Sequence, residues 1–416
     1  MFHMGSINMK KLVSLMIIAT VVILALPREA DAIPAFARKY KISCSTCHSM
    51  VPKLKEYGEE FAGNAFQLPD APEPPRTYVD AGDDDLLLHR FFPIAVRFDG
   101  YMQYAERDAG KFDFQTPYGV KLMSGGPVTD HIGYYMYFYM NERGEVAGLE
   151  DAYVHFNNLF GSDLDVMVGQ FQVSDPLFKR ELRLSLEDYE VYRMRPTYSH
   201  ANLTYDRGVI LTYGFDFGLD LVAEVLNGNG IGEAENRIFD IDNGKAFAFR
   251  ASQSLGPVRV GGFFYQGEEM FRRTWLDGNS GSYVYEDVEN TVTYMGPDLT
   301  IGNEYIELNA QYLQRIDSDI PLASYGATTM QEMTMDGIMA ELVFMPDGAD
   351  SKWAFVGLYN RTSGKLEDAD DADVFYHTGT LSISRALARN FRLIGEVTYD
   401  LENETPRAAI GFVSGF

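Results

Sequence analysis

The pattern of apolar and polar residues becomes regular at about residue 92. From Phe92 to Phe416 the two kinds alternate with a period of two, as in β-strands that have one face in apolar surroundings and one in water. Three stretches show this best: Val96, Phe98, Met102 and Tyr104 against Arg97, Asp99, Tyr101 and Gln103; Ile306, Leu308, Ala310 and Tyr312 against Glu307, Asn309 and Gln311; and Leu393, Gly395, Val397 and Tyr399 against Arg392, Glu396, Thr398 and Asp400. Counting such segments predicts about sixteen strands, each near the length of about ten residues that crosses a bilayer.

The connections between these segments alternate in length. Brief turns at 215–218, 254–257 and 385–390 are interleaved with long polar stretches at 228–244, 267–287, 315–333 and 361–373. Short turns on one side and long loops on the other are typical of outer-membrane barrels. The final Phe416, preceded in alternation by Phe412 and Ile410, resembles the C-terminal strand signal of such barrels. We therefore predict a mainly β fold, a transmembrane antiparallel β-barrel over residues 92–416; a soluble β-sandwich is the alternative.

One connection breaks this alternation. The stretch from Gly169 to Gly208 is too long for a plain surface loop and contains Pro176–Leu184, in which charges of both signs alternate. We predict that it folds inward and narrows the barrel lumen. A surface helix is the alternative.

The first 32 residues have the pattern of a secretory signal peptide. Met9-Lys10-Lys11 begins a basic region, an apolar stretch runs from Leu12 to Leu26, and Ala30-Asp31-Ala32 is a cleavage site, so we expect the mature chain to begin at Ile33. An uncleaved membrane anchor is the alternative, but an apolar core of about fifteen residues is short for a span.

Residues 33–75 are predicted to form a small helical domain. One helix is expected over 35–40, and a second is expected to begin at Pro52, to place Val51, Leu54, Tyr57 and Phe61 on one apolar face, and to end at Gly63. Prolines between residues 69 and 75 mark its boundary, and residues 76–91 are predicted to be a linker.

The helical domain contains a CxxCH motif, Cys44-Ser45-Thr46-Cys47-His48. Two thiols at this spacing can bind both vinyl groups of a haem, while the following histidine becomes the proximal ligand of the iron. The sequence therefore predicts one covalent haem c, with Cys44, Cys47 and His48 as its site. A zinc half-site or a disulfide is the alternative, but tetrahedral zinc needs about four ligands and these are the only two cysteines.

So small a domain lacks two things that a haem needs. It cannot build a core large enough to enclose the haem, so other parts of the chain must cover it. Its only other thioether or imidazole is Met50, too close to His48 to reach the opposite face of the ring. The candidates for a sixth iron ligand are water and Lys53, Lys55, His89, Met102, His131, His155 and His377, and the sequence does not choose among them.

The net charge of −25 limits the kinds of partner that this chain can bind. An acidic surface argues against nucleic-acid binding, which needs cationic contacts with phosphates, and it attracts cations. Within the haem segment, however, the charge is locally basic. The basic residues are Arg38, Lys39, Lys41, Lys53 and Lys55. They are candidates to pair with haem propionates or with lumen acids such as Asp99, Asp151 and Glu224; solvated side chains are the alternative.

The order of these features resembles one family, the outer-membrane fused monohaem cytochrome c–porins. The signal peptide, Ala35-Phe36-Ala37-Arg38, the CxxCH motif, the helix with Leu54, Gly58 and Phe61, and the barrel follow one another as in that family, whose best-known members are Fe(II) oxidases of iron-oxidising bacteria. The resemblance covers residues 33–416. It implies that the helical domain plugs the barrel lumen, with Cys44 and Cys47 as thioether anchors and His48 as the proximal ligand.

The resemblance implies a function in electron transfer. The leading hypothesis is an oxidoreductase of the bacterial outer membrane that oxidises extracellular Fe(II) by one electron and passes the electron to a periplasmic carrier such as a cytochrome. The cytochrome domain is expected in the lumen or on the periplasmic side. The alternatives are a diffusion porin with a structural or regulatory haem plug, and extracellular electron transfer with a donor or acceptor other than iron.

Overall fold

The computed structural model describes residues 35–68 and, with short gaps, the chain from residue 78 to residue 416. The gaps are residues 80–81, 84–85, 87, 91, 107–110, 197–198, 235–236, 241–243, 277–282, 325–326, 368 and 370–371. The expected signal peptide and the proline-rich boundary at 69–75 therefore lie outside the described residues.

The N-terminal segment, residues 35–68, contains three short helices: α1 (Ala35–Tyr40), α2 (Cys44–Cys47) and α3 (Glu56–Gly63). The first helix and the end at Gly63 are as predicted. The predicted start at Pro52 is wrong, because the chain first reverses direction, with Lys55 N donating to Cys47 O at 2.8 Å. None of the helices in the described part of the chain is long and apolar enough to span a membrane.

The expected linker at 76–91 contains regular structure. Two short strands, β1 (Tyr78–Val79) and β2 (Leu88–His89), pair in antiparallel fashion within it. His89 also binds the wall of the barrel, since its Nε2 lies 2.9 Å from the carbonyl oxygen of Pro127. These contacts fix the chain against the barrel before the first long strand begins.

Sixteen antiparallel strands, as predicted, form a closed barrel in which each strand pairs with the next along the chain. The last strand returns to pair with the first, and Arg407 lies opposite Ala105. The strands are β3 (Ile94–Ala105), β4 (Phe112–Thr129), β5 (Ile132–Glu142), β6 (Gly148–Leu159), β7 (Leu164–Gln172), β8 (Tyr205–Gly214), β9 (Leu219–Leu226), β10 (Ala246–Leu255), β11 (Val258–Leu276), β12 (Tyr283–Gly302), β13 (Ile306–Ser324), β14 (Ala327–Phe344), β15 (Trp353–Leu366), β16 (Asp373–Ala388), β17 (Phe391–Asp400) and β18 (Thr405–Gly415).

The two faces of each strand differ as the alternation requires. In β10, Phe247 and Phe249 are exposed on the outer surface, whereas Ala248 and Arg250 are buried on the lumen side. Arg250 is neutralised there by Asp298 of β12, with Nε 3.1 Å from Oδ2. An apolar outside and a polar, hydrogen-bonded inside are the arrangement of a barrel that spans a bilayer.

Turn lengths distinguish the two ends of the barrel. Turns of two to four residues at 130–131, 215–218 and 256–257 lie at the same end as the start of β3 and the end of β18. We call this the short-turn end; in barrels of this class it faces the periplasm. The opposite end contains the long connections, such as 227–245.

Two of the predicted long loops are instead hairpins. Strands β11 and β12 continue into the stretch 267–287, and β13 and β14 continue into 315–333. The polar residues in these stretches suggested loops, but strands that extend beyond the apolar band can carry polar residues on both faces. The prediction of irregular loops there is wrong.

The connection between β7 and β8, residues 173–204, folds into the lumen, as predicted. We call it the inserted segment. Its backbone N–H groups at Leu186 and Glu187 donate to the carboxylate of Glu396 at 2.7 and 2.8 Å, and Asn360 donates to its Asp188 carbonyl at 2.8 Å. The segment contains only two short 3₁₀ turns among its described residues, so the surface-helix alternative is wrong.

A buried arginine anchors the far end of the inserted segment. Arg315 of β13 is paired with Asp317 at 2.7 Å, and its Nη1 donates to the Ala201 carbonyl at 2.6 Å and to the Met194 carbonyl at 3.2 Å. Nearby, the Tyr294 hydroxyl donates to the same Met194 carbonyl at 2.7 Å. Because these polar groups satisfy one another away from water, they fix the segment against the barrel wall.

If the outer face of the barrel contacts lipid, a charge placed in the middle of a strand on that face should destabilise the barrel. Leu381 lies in the middle of β16 and is 74% exposed on the outer surface. Leu381→Arg is expected to destabilise the barrel in lipid by about 2–4 kcal/mol, because the guanidinium would face hydrocarbon. The measurement is a urea titration in liposomes, followed by the heat-modifiable mobility of the folded barrel on gels.

Leu401→Arg is the matched control. Leu401 is also exposed but lies in the connection between β17 and β18, outside the strands. Its unfolding midpoint should remain close to that of the unmodified chain. Equal losses in both variants would contradict the assignment of the outer face to lipid.

Candidate functional site

The CxxCH motif occupies helix α2 and the residue after it. Ser43 caps the helix, since its Oγ accepts a hydrogen bond from Ser45 N at 3.3 Å. Cys44 and Cys47 lie one turn apart, which places both sulfur atoms on one face. Both are free, half-buried thiols. Burial and the neighbouring Cys44 raise the pKa of Cys47 to about 11, so its thiol is protonated at neutral pH.

The imidazole of His48 is held in a single orientation. The chain folds back after it, so that Ser49 N donates to Lys53 O at 3.2 Å and Pro52 O lies 3.0 Å from Nδ1 of His48. A carbonyl oxygen only accepts, so Nδ1 carries the proton and Nε2 keeps a free lone pair. Burial lowers the pKa of His48, which favours the neutral ring. A neutral imidazole oriented by a backbone carbonyl is the form in which histidine binds metals.

Helix α3 packs directly on the motif because it has a glycine at the crossing point. A Cβ atom at Gly58 would lie 2.2 Å from the carbonyl oxygen of Cys47, a distance that backbone atoms cannot accommodate. The same carbonyl accepts the hydrogen bond from Lys55 N at 2.8 Å. Gly58 therefore sets how closely α3 approaches the two cysteines.

The N-terminal segment contacts the lumen side of the barrel at its short-turn end. Phe66, part of the aromatic core of the segment, stacks on Tyr135 of β5 with ring centroids 5.1 Å apart. On another wall, Lys53 Nζ lies 2.7 Å from Glu307 of β13, and Lys55 lies 3.6 Å from Asp350. Lys53 is thus paired with a lumen acid, Glu307, which is not one of those named from the sequence, whereas Asp350 lies in the exposed connection between β14 and β15.

A cavity of about 910 Å³ lies between the N-terminal segment, the inserted segment and the strands. Cys44, Cys47 and His48 form part of its wall, and Phe61 and Tyr135 add apolar surface. Its volume is within the range of small-molecule and cofactor sites. The CxxCH motif therefore lines a partly open cavity inside the barrel.

The inserted segment contributes charge to the same cavity. Glu181 contacts Lys121 of β4 and lies 3.9 Å from Arg97 of β3. Burial opposes ionisation of Glu181, but these two cations outweigh it and hold its pKa at about 2. Asp175, in contrast, has a raised pKa, first because it is buried.

The structure separates the predicted candidates for a sixth iron ligand. His155 of β6 lines the cavity together with the CxxCH motif, and so does Lys53, whose ammonium is paired with Glu307. The other candidates do not line the cavity. Met102 is exposed on the outer face, and His131 lies in an exposed turn. His89 binds Pro127, His377 lies 3.1 Å from the hydroxyl of Tyr359, and Lys55 pairs with Asp350.

Two thioethers in the cavity wall were missed by sequence reasoning. Met123 of β4 and Met167 of β7 both line the cavity, and Met167 lies directly opposite His155 in the β6–β7 pairing. Strand parity would have placed both on the lumen face of their strands, but only the closed barrel shows that they lie beside the motif.

In the described part of the chain, no group of three or more His, Cys, Asp or Glu side chains is arranged to hold a metal ion. The sequence also contains an acidic run from Glu367 to Asp373, and three of its residues lie outside the described part of the chain.

No protein-family model and no curated protein matches this sequence. Solved structures match in fold, each over 78% of this chain: Vibrio cholerae OmpT lacking loop L8 (12% identity, TM-score 0.55, 99% of that chain), Salmonella typhi OmpF (11%, 0.55, 97%) and an anion-selective porin from Comamonas acidovorans (10%, 0.52, 98%). The chain therefore has the fold of outer-membrane porins, and about a fifth of it lies outside each match.

The packing of α3 predicts the effect of one methyl group. Gly58→Ala is expected to push α3 away from Cys47 and to destabilise the N-terminal segment by about 1–3 kcal/mol, the usual range for overpacking. Gly63→Ala, in the same helix, is the control because a Cβ there meets nothing within 4 Å. The measurement is limited proteolysis of the folded barrel, with faster cleavage within residues 35–68 for Gly58→Ala only. Identical cleavage in both variants would contradict the packing described.

Proposed function

We propose that this chain is an electron-transfer protein of the bacterial outer membrane. In this proposal it accepts one electron from each extracellular Fe(II), leaves Fe(III) outside the cell, and delivers the electron to a periplasmic carrier. The observation that carries the proposal is the position of the CxxCH motif, which faces a cavity inside a porin-type barrel with its histidine already oriented.

The residues present fit a covalent haem c. Cys44 and Cys47 present two sulfur atoms on one face of α2, and His48 offers a neutral ring whose Nδ1 is committed to Pro52. The cavity beside them has apolar walls at Phe61 and Tyr135 and a volume suited to a cofactor. When bound there, the haem would supply a centre that gains and loses single electrons.

The protein's own residues bind and shield this site. The two thiols would form the thioether attachments, and Pro52 would keep Nε2 of His48 directed to the iron. The aromatic side chains of the N-terminal segment and Tyr135 exclude water from one side of the cavity. The barrel thus provides the burial that the short N-terminal segment cannot provide alone.

The charge of the chain supports Fe(II) as the donor. The net charge of −25 attracts cations to the protein, and Fe(II) is a divalent cation that reaches the barrel from outside the cell.

The contents of the lumen favour electron transfer over free diffusion. The N-terminal segment contacts walls at β5 and β13, and the inserted segment contacts walls at β15 and β17. A permeable porin needs an aqueous path past both. Transfer of electrons needs no such path, only a redox centre within the barrel.

Covalent attachment of haem to the CxxCH motif can be tested by removing one thiol. Cys47→Ala should remove one thioether and sharply reduce or abolish haem staining of the denatured protein on gels. Ser45→Ala, within the same motif but without a sulfur atom, should stain like the unmodified chain. Unchanged staining of Cys47→Ala would exclude the haem site proposed here.

The assignment of Fe(II) as the electron donor can be tested in liposomes. The oxidised protein, reconstituted in liposomes, should show rapid reduction of its haem absorbance when Fe(II) is added anaerobically outside only. Addition of Fe(III) is the control and should change nothing. A haem that ignores Fe(II) but is reduced by dithionite would exclude iron as the donor; liposomes that also leak ions would indicate a plugged porin.

A further inference from the structure

A buried histidine on the barrel wall faces the same cavity as the CxxCH motif. His155 lies in β6, is only 3% exposed, and lines the cavity together with Cys44, Cys47 and His48. Its Nε2 has no hydrogen-bond partner in the described part of the chain. A buried imidazole nitrogen that forms no hydrogen bond is unfavourable, so this position requires a reason.

The adjacent strand provides a carboxylate beside this imidazole. Asp165 of β7 lines the cavity too, and its Oδ2 lies 3.6 Å from Nε2 of His155. Its other oxygen, Oδ1, accepts a hydrogen bond from Asn158 N at 2.8 Å, which fixes the carboxylate in place. Histidines that bind metals are commonly oriented in this way, with a carboxylate near one ring nitrogen and the metal on the other. Here the carboxylate is near Nε2, so Nδ1 would be the nitrogen that binds a metal.

The two thioethers in the cavity wall are in a different situation. Met167 packs against the large apolar core around the inserted segment, and Met123 packs beside Tyr137 and Tyr139. A thioether needs no hydrogen-bond partner, so its place among apolar side chains is complete without a ligand. Among the cavity-lining groups that lack a hydrogen-bond partner in the described part of the chain, His155 is the one imidazole.

We propose that His155 is the second axial ligand of the haem iron. The proximal ligand, His48, belongs to the N-terminal segment, whereas His155 belongs to the barrel, so the iron would join the two parts of the chain. This inference rests on the proposed haem site at Cys44 and Cys47. It assigns bis-imidazole coordination, with Asp165 as the positioning residue for the barrel ligand.

The test is the spin state of the ferric haem in the full-length protein. In the unmodified chain we expect the low-spin electron paramagnetic resonance and absorption spectra of an iron with two imidazoles. In His155→Ala, most of the signal should become high-spin, and imidazole added to the solution should restore the low-spin spectrum. His131→Ala is the matched control, since His131 lies in an exposed turn at the same end of the barrel.

Two further readouts separate the possible failures. Covalent haem staining and heat-modifiable mobility should be the same in all variants, because the attachment at Cys44 and Cys47 is intact. If His155→Ala does not fold, His155→Met provides the test: it should remain low-spin but gain the sulfur-to-iron charge-transfer band of a His/Met haem.

A low-spin bis-imidazole spectrum that persists in His155→Ala would overturn this inference and leave the proposed function standing. The same conclusion follows if His155→Met shows no sulfur-to-iron band. Absence of covalent haem from the unmodified chain would instead overturn the proposed function, and the ligand assignment with it.

Discussion

The structure depends on one constraint: the N-terminal segment, residues 35–68, is too small to build a core that could enclose a cofactor by itself. The barrel resolves this shortage by surrounding the segment. Stacking of Phe66 on Tyr135 and the ion pair between Lys53 and Glu307 hold the segment against two different walls. The inserted segment covers the cavity from another side, through Glu181 and its cationic partners.

Much of the barrel was predictable because a strand with one apolar and one polar face has a period-two pattern in the sequence. The outer and lumen faces of β10 follow the period-two pattern directly. The inserted segment was predictable from its length. The hairpins at 267–287 and 315–333 were not, because the pattern loses its contrast where a strand leaves the apolar band and both of its faces can be polar.

The site was predictable only in its local part. Cys44, Cys47 and His48 are neighbours in sequence, so they can be predicted as a haem site without a fold. The contribution of the wall could not be, because it depends on which strand lies opposite the motif. The alternation along β3 alone excludes Met102 as an iron ligand, because Met102 lies on the opposite face of the strand from the inward Asp99. That His155 lies at the cavity follows only from the closed barrel.

The closure of the barrel has a consequence for the order of assembly. Strand β3 follows the N-terminal segment in the chain, yet its free edge is completed only by β18, where Val96 and Phe416 exchange backbone hydrogen bonds of 2.7 and 2.9 Å. Until that seam forms, the lumen is open along its whole length. Once the seam has formed, the enclosed segment can no longer be reached from the side, and any group that joins it must enter through an end of the barrel.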